Sequence, residues 1–88
     1  MKNFKEMLNN DKVVLRIDIF TDDESIIFNG IRFNLNYYSE ESGYIRLIDD
    51  DGQELILPLE CRYIEDEIET WVFRTNNVEL YIYSEEIN

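Results

Sequence analysis

Residues 71–82 read Trp71-Val72-Phe73-Arg74-Thr75-Asn76-Asn77-Val78-Glu79-Leu80-Tyr81-Ile82. Two runs of period-two alternation flank a pair of asparagines, a residue type that tolerates positive φ, so the stretch predicts a hairpin with a two-residue turn. Its register sets Phe73 against Leu80 and Trp71 against Ile82 on one face, and Arg74 against Glu79 on the other as a cross-strand ion pair. The other face also carries Val72, Tyr81 and Tyr83, more apolar surface than water favours. Arg62-Tyr63-Ile64, an amino-terminal helix or a partner is therefore expected to cover it.

Upstream, the same test separates buried from exposed residues in two further hairpins. Asn29-Gly30 is the strongest short hairpin signal. A turn there pairs Phe28 with Ile31 and Ile26 with Phe33, and Leu35 and Tyr37 continue the inner row. In Asp50-Asp51-Gly52, a three-residue loop with Gly52 left-handed pairs Leu47 with Leu55 and Ile45 with Leu57, leaving Arg46 outside with Ile56. Pro58 lacks an N–H, so this strand ends there or lies on an edge. The buried set expected from the three hairpins is Phe28, Ile31, Phe33, Leu47, Leu55, Leu57, Trp71, Phe73, Leu80 and Ile82.

At the amino end, Asn3 and Glu6 resemble a capping box, and Phe4, Met7 and Leu8 give a short helix one apolar stripe that Asn9-Asn10 would close. Val13, Leu15, Ile17 and Ile19 then alternate as a strand with one buried face, and Asp22 to Ser25 make a polar turn. No repeat or linker divides residues 1–88, so a single acidic domain is expected. Its class is α+β and mostly β: a short helix followed by a curved antiparallel meander or small open barrel of about six or seven strands.

The chain carries 20 Asp and Glu against 8 Lys and Arg, net −12, yet 44% of its 88 residues are hydrophobic, too many for a disordered acidic tail. Residues 1–16 hold Lys2, Lys5, Lys12 and Arg16 against Glu6 and Asp11, or +2, so the remainder carries −14. A domain this charged repels itself, and its field suits a basic partner. The charge sign opposes direct binding to nucleic acid. No apolar run reaches the roughly 20 residues of a membrane helix, and no secretory apolar stretch follows Met1, so a cytoplasmic location is expected.

The sequence has no histidine and one cysteine, Cys61, which without a base to activate it is expected to be a small core or half-buried residue. A calcium loop fails on spacing: with Gly52 as its sixth position, Leu47 and Pro58 would have to ligate. No phosphate-cradling glycine loop occurs. The expectation is a protein that is not an enzyme and takes no metal or cofactor.

The acids gather at Asp22-Asp23-Glu24, Glu40-Glu41, Asp49-Asp50-Asp51, Glu65-Asp66-Glu67 with Glu69, and Glu85-Glu86. If 65–69 is extended, Glu65, Glu67 and Glu69 point one way at steps of about 6.6 Å, the order of the spacing between phosphates of a nucleic-acid strand. That reading strengthens if other acidic tips lie on the same side. Candidate partner-binding residues are therefore Glu65, Glu67, Glu69, Asp49, Asp50 and Asp51, with Tyr81 and Tyr83 as aromatic anchors.

In size, negative charge, lack of histidine and helix-then-sheet order, the chain resembles the small acidic proteins by which phages and mobile elements inhibit host nucleic-acid enzymes, nucleic-acid-mimicking anti-CRISPR proteins among them. The resemblance implies an inhibitor that fills a basic nucleic-acid groove with carboxylates, the partner being a basic nucleic-acid-processing protein. The alternatives are an immunity protein neutralising a basic toxin, or an interaction subunit that binds a partner or a second copy through a β-edge or the Val72/Tyr81/Tyr83 face.

Overall fold

A computed structural model of the chain describes residues 3–9, 12–23, 25–65 and 67–85. Helix α1 (Phe4–Leu8) precedes seven strands: β1 (Val14–Thr21), β2 (Ile26–Glu41), β3 (Tyr44–Asp49), β4 (Glu54–Pro58), β5 (Arg62–Ile64), β6 (Thr70–Thr75) and β7 (Val78–Ser84). All pairings are antiparallel, in the order β4-β3-β2-β1-β7-β6-β5. The arrangement is two meanders joined through β1 and β7, curved but not closed into a barrel.

The 16-residue β2 makes the curve. Its first half pairs with β1 as far as Asn34 against Val14, and its second half pairs with β3 from Leu35 against Asp49. At the corner the Leu35 N–H donates to Val13 O at 3.1 Å and the Asp50 N–H to Asn34 O at 3.0 Å. One strand shared by two sheet halves folds them over a common core, as in orthogonal packings. Leu15, Ile17, Phe33, Trp71, Phe73, Leu80 and Ile82 from one half meet Ile45, Leu47 and Leu57 from the other. β4 thereby comes against β6.

Helix α1 plugs this core. The Asn3 carboxamide accepts from Lys5 N–H at 2.7 Å, capping the first turn, and Asn9 closes the last. Phe4, Met7 and Leu8 are buried, and the Phe4 ring stands edge-on to Phe73 at 4.8 Å and to Trp71 at 5.7 Å. A five-residue helix is far too short to stand alone, so this packing is what holds it.

Two of the expected hairpins are present in the expected register. Arg74 lies opposite Glu79, Phe73 opposite Leu80 and Trp71 opposite Ile82, with Asn76 and Asn77 at φ 43° and 69°. Leu47 pairs with Leu55 and Ile45 with Leu57 around Gly52 at φ 84°, and β4 is an edge strand that ends at Pro58. The ion pair expected between Arg74 and Glu79 does not follow: Arg74 Nη2 reaches Asp22 Oδ1 at 2.8 Å, and Glu79 lies 3.9 Å from Arg62.

The Asn29-Gly30 turn is a correction. β2 runs straight through both residues, and the hairpin closes earlier, where the Thr21 N–H donates to Ser25 O at 2.9 Å. Ile17 pairs with Ile31 and Ile19 with Phe28, so Asn29 and Gly30 together oppose Asp18 alone, a β-bulge. Asp18 Oδ1 accepts from the Gly30 N–H at 2.6 Å, and Arg16 Nη1 donates to Gly30 O at 2.9 Å. A glycine at φ 71° serves such a bulge as well as a primed turn.

The burial expected of this segment changes accordingly. Phe28 is 56% and Ile31 37% exposed because the second half of the sheet folds away from β2 at Asn34, and Leu55 is half-buried. Beyond the two register shifts against β1, a third, between Leu35 and Tyr37, turns Tyr37 outward and brings Tyr38 onto the core in its place. The side chain of Ile26 lies outside the described residues.

Candidate functional site

The register of the strands places the acidic loops. β5 ends at Ile64 and β6 starts at Thr70, paired with each other, so 65–69 is the loop between them. Thr70 opposes Tyr83 of β7, and Glu85, just beyond β7, donates its N–H to Val14 O at 2.8 Å. Val14 opposes Asn34, and Asn34 O holds Asp50. One rim therefore runs from the 65–69 loop past Glu85 to the Asp50-Asp51 tip, across four strand steps of about 4.8 Å, or about 19 Å.

Glu65 and Glu67 are exposed and Glu69 is half-buried; Asp66 lies outside the described residues. The chain bends at Glu67 and Ile68, so these carboxylates belong to a loop and do not form the extended row that the alternation suggested. Partial burial, with the Glu69 and Glu65 carboxylates beside it, holds the Tyr63 phenol above its ordinary value.

Asp49 does not belong to the surface. It is 6% exposed, and its Oδ1 accepts from the N–H groups of Asp51 at 3.0 Å and Gln53 at 2.7 Å. Its carboxylate closes the loop that carries Asp50 and Asp51, both of which are exposed. The Asp-Asp-Asp run concealed this division, although an aspartate at the first position of a turn is a signal for the capping role.

Other charges divide the surface further. Glu85 sits between Arg16 Nη2 at 3.2 Å and Arg32 Nε at 3.4 Å, so its charge is largely met within the rim. Asp22 and Asp23 lie at the opposite end of the sheet, where the Asp22 N–H donates to Asn77 O at 3.2 Å. Glu40 and Glu41 occupy a third place, the β2–β3 tip, with Glu40 bound to Lys5 at 3.0 Å.

Tyr81 and Tyr83 are half-buried on the outer face of β7. Tyr81 packs edge-on to Phe20 at 4.9 Å, and its hydroxyl takes a hydrogen bond from Arg62 Nη2 at 3.3 Å. Burial, with Asp18 beside it, raises the Tyr83 phenol. Val72 is buried: Arg62 is its cross-strand partner and reaches over it to Tyr81, the cover expected of Arg62-Tyr63-Ile64. Cys61 is exposed where a core or half-buried position was expected, because it falls on the bend between β4 and β5. Desolvation nevertheless pushes its thiol up, away from thiolate chemistry.

Among the described residues no group of three or more Cys, Asp or Glu is placed to hold a metal ion, and no helix is long and apolar enough to cross a membrane. Compared with protein family models, with curated proteins and with solved structures, the chain matches none.

Proposed function

We propose that this protein is a binding inhibitor that presents its acidic rim to the basic nucleic-acid site of an enzyme and competes there with DNA or RNA, performing no chemistry itself. The observation that carries the reading is the gathering of Glu65, Glu67 and Glu69 with Asp50 and Asp51 along one rim, while Glu85 between them is met by Arg16 and Arg32, and Asp22-Asp23 and Glu40-Glu41 lie elsewhere. Side chains on short loops at the end of a rigid sheet hold carboxylates over a span comparable to several phosphate spacings. Tyr83, across from Thr70 and next to Glu69 in the register, borders that rim as an aromatic contact. The alternative face loses ground, because Val72 is covered by Arg62 and Tyr81 is packed on Phe20.

The test is competition. Purified basic nucleases holding a fluorescent oligonucleotide are titrated with the wild-type chain, which should displace the oligonucleotide with an affinity that falls as salt rises. Reversing Glu65, Glu67 and Glu69 to lysine should slow association about tenfold or more, whereas reversing Glu40 and Glu41 should do much less. Equal effects from both reversals, or binding without displacement, would refute the rim as the site.

A further inference from the structure

We infer that the open edge of β2, from Ile26 to Phe33, takes an extended segment of another protein as an added strand, a segment apolar at its centre and basic at both ends. Three observations converge on this edge. The first is the backbone. Leu35 N–H bonds to Val13, and strand alternation therefore turns the N–H groups of Phe33 and Ile31 toward β1 and both polar groups of Arg32 away from it. Among the described residues β2 pairs only with β1 and β3, and β3 begins its pairing at Leu35, so no strand lies beside Arg32 on its outer side.

The second observation is apolar. Ile27, Phe28 and Ile31 are 44%, 56% and 37% exposed within these few residues. A strand laid along the edge would cover them with alternate side chains, the usual division in which main-chain bonds supply affinity and side-chain pockets specificity.

The third is charge, and it selects the occupant. No acid occurs from Ile26 to Ser39 in a chain with 20 of them, and Arg32 is met by Glu85. Acids resume near both ends of the open edge: Asp23 before Ile26, and Asp50 and Asp51 beside Asn34, whereas Asp22 is turned the other way, to Asn77 and Arg74. Eight residues at about 3.3 Å each separate the two by roughly 26 Å, the reach of a short peptide with a lysine or arginine at each end. A second copy fits badly. Two β2 edges paired about a twofold would set Asp23 of one against Asp50 and Asp51 of the other. Gly30 is engaged by Asp18 and Arg16, and a further register shift leaves Ile27 unpaired, so the added strand takes its main-chain bonds at Arg32, on the carboxyl side of these irregularities.

The inference shares only Asp50 and Asp51 with the rim, so the two readings fail separately. The probe is a synthetic peptide of alternating valine and threonine with two lysines at each end, beside a counterpart with glutamates at the ends. The lysine-ended peptide should bind, protect the Arg32 amide from hydrogen exchange and weaken with salt, and the glutamate-ended one should bind about tenfold or more weakly. Arg32→Pro removes the outward N–H at a position where an edge strand accommodates proline, and should abolish binding, whereas Arg32→Ala should keep it within about twofold. Phe28→Ser, at an exposed position, should weaken binding about fivefold with the fold unchanged, which keeps the test open if the proline variant does not fold. Equal binding of the two peptides, retention of binding in a folded Arg32→Pro or in Phe28→Ser, or a dimer that protects the same amide in the peptide's absence would each overturn the inference.

Discussion

Gly30 can be interrogated directly, because a bulge and a turn make different demands on its neighbour. In a type I′ turn both central residues need positive φ, so Asn29→Ala and Gly30→Ala would each be costly. In the bulge only Gly30 is left-handed, at 71°, and Asn29 is not among the residues with positive φ. A Cβ at Gly30 would meet Arg16 Nη1 at 3.9 Å, ordinary contact, so the cost is conformational and amounts to about 1–2 kcal/mol. Asn29→Ala should cost less than about 0.5 kcal/mol. Asp18→Ala removes the charged acceptor of the Gly30 N–H; a lost bond of this kind costs about 1.5–3 kcal/mol, and water at this half-buried site brings it to the lower end. The two costly changes share one hydrogen bond, so the double variant should cost less than their sum. Urea denaturation followed by the fluorescence of Trp71, the sole tryptophan, measures all four variants. Asn29→Ala as damaging as Gly30→Ala, or an Asp18→Ala cost below about 0.5 kcal/mol, would refute the bulge and its clamp.

The β6–β7 turn offers the converse case. Asn77→Gly, at φ 69°, should stabilise the protein by up to about 1 kcal/mol and Asn77→Ala should destabilise it by a similar amount, read as shifts of several degrees in thermal midpoint. Moderate salt near neutral pH should raise the midpoint, because screening relieves repulsion in a chain of net −12; a midpoint that falls between low and physiological salt would contradict this. The raised phenols of Tyr63 and Tyr83 bind their protons more tightly folded than unfolded, so their contribution is fully present below the ordinary value of 10.0 and is lost as pH rises through the folded values. Alkaline denaturation should therefore begin at higher pH in Tyr63→Phe or Tyr83→Phe than in wild type; an unchanged alkaline limb in both would count against it.

Local chemistry carried most of the fold. The Asn76-Asn77 and Asp50-Asp51-Gly52 hairpins were legible to the residue, since in each only one register separates apolar from polar side chains and the turn residues supply the φ that register needs. The Asn29-Gly30 segment defeated the same reasoning because its alternation is equally compatible with a turn and with a bulge. The choice falls to tertiary contacts that sequence spacing does not display: Asp18 and Arg16 reaching the Gly30 peptide, and the competing Thr21–Ser25 closure. Once β2 continues through Gly30, Phe28 and Ile31 leave the core with it. The register of Arg74 likewise survived while its ion pair moved, since an exposed guanidinium gains little from any one carboxylate and takes the nearer Asp22.

The candidate site divides along the same line. That acids cluster between strands was visible in the sequence; which clusters share a side depends on the order β4-β3-β2-β1-β7-β6-β5, where β7 returns to pair with β1 across the whole chain. That long-range pairing is what brings the 65–69 loop and the Asp50-Asp51 tip to one rim and sends Asp22-Asp23 to the other end. It also separates aspartates that look alike in sequence: Asp49 turns inward to close its loop, whereas Asp50 and Asp51 stay in water. The β2 edge was hidden for a related reason. While Asn29-Gly30 reads as a turn, Ile27, Phe28 and Ile31 belong to two short strands that cover each other. As one long strand with a single neighbour along its first half, they become the apolar stretch of an acidic surface that a strand with basic ends could cover.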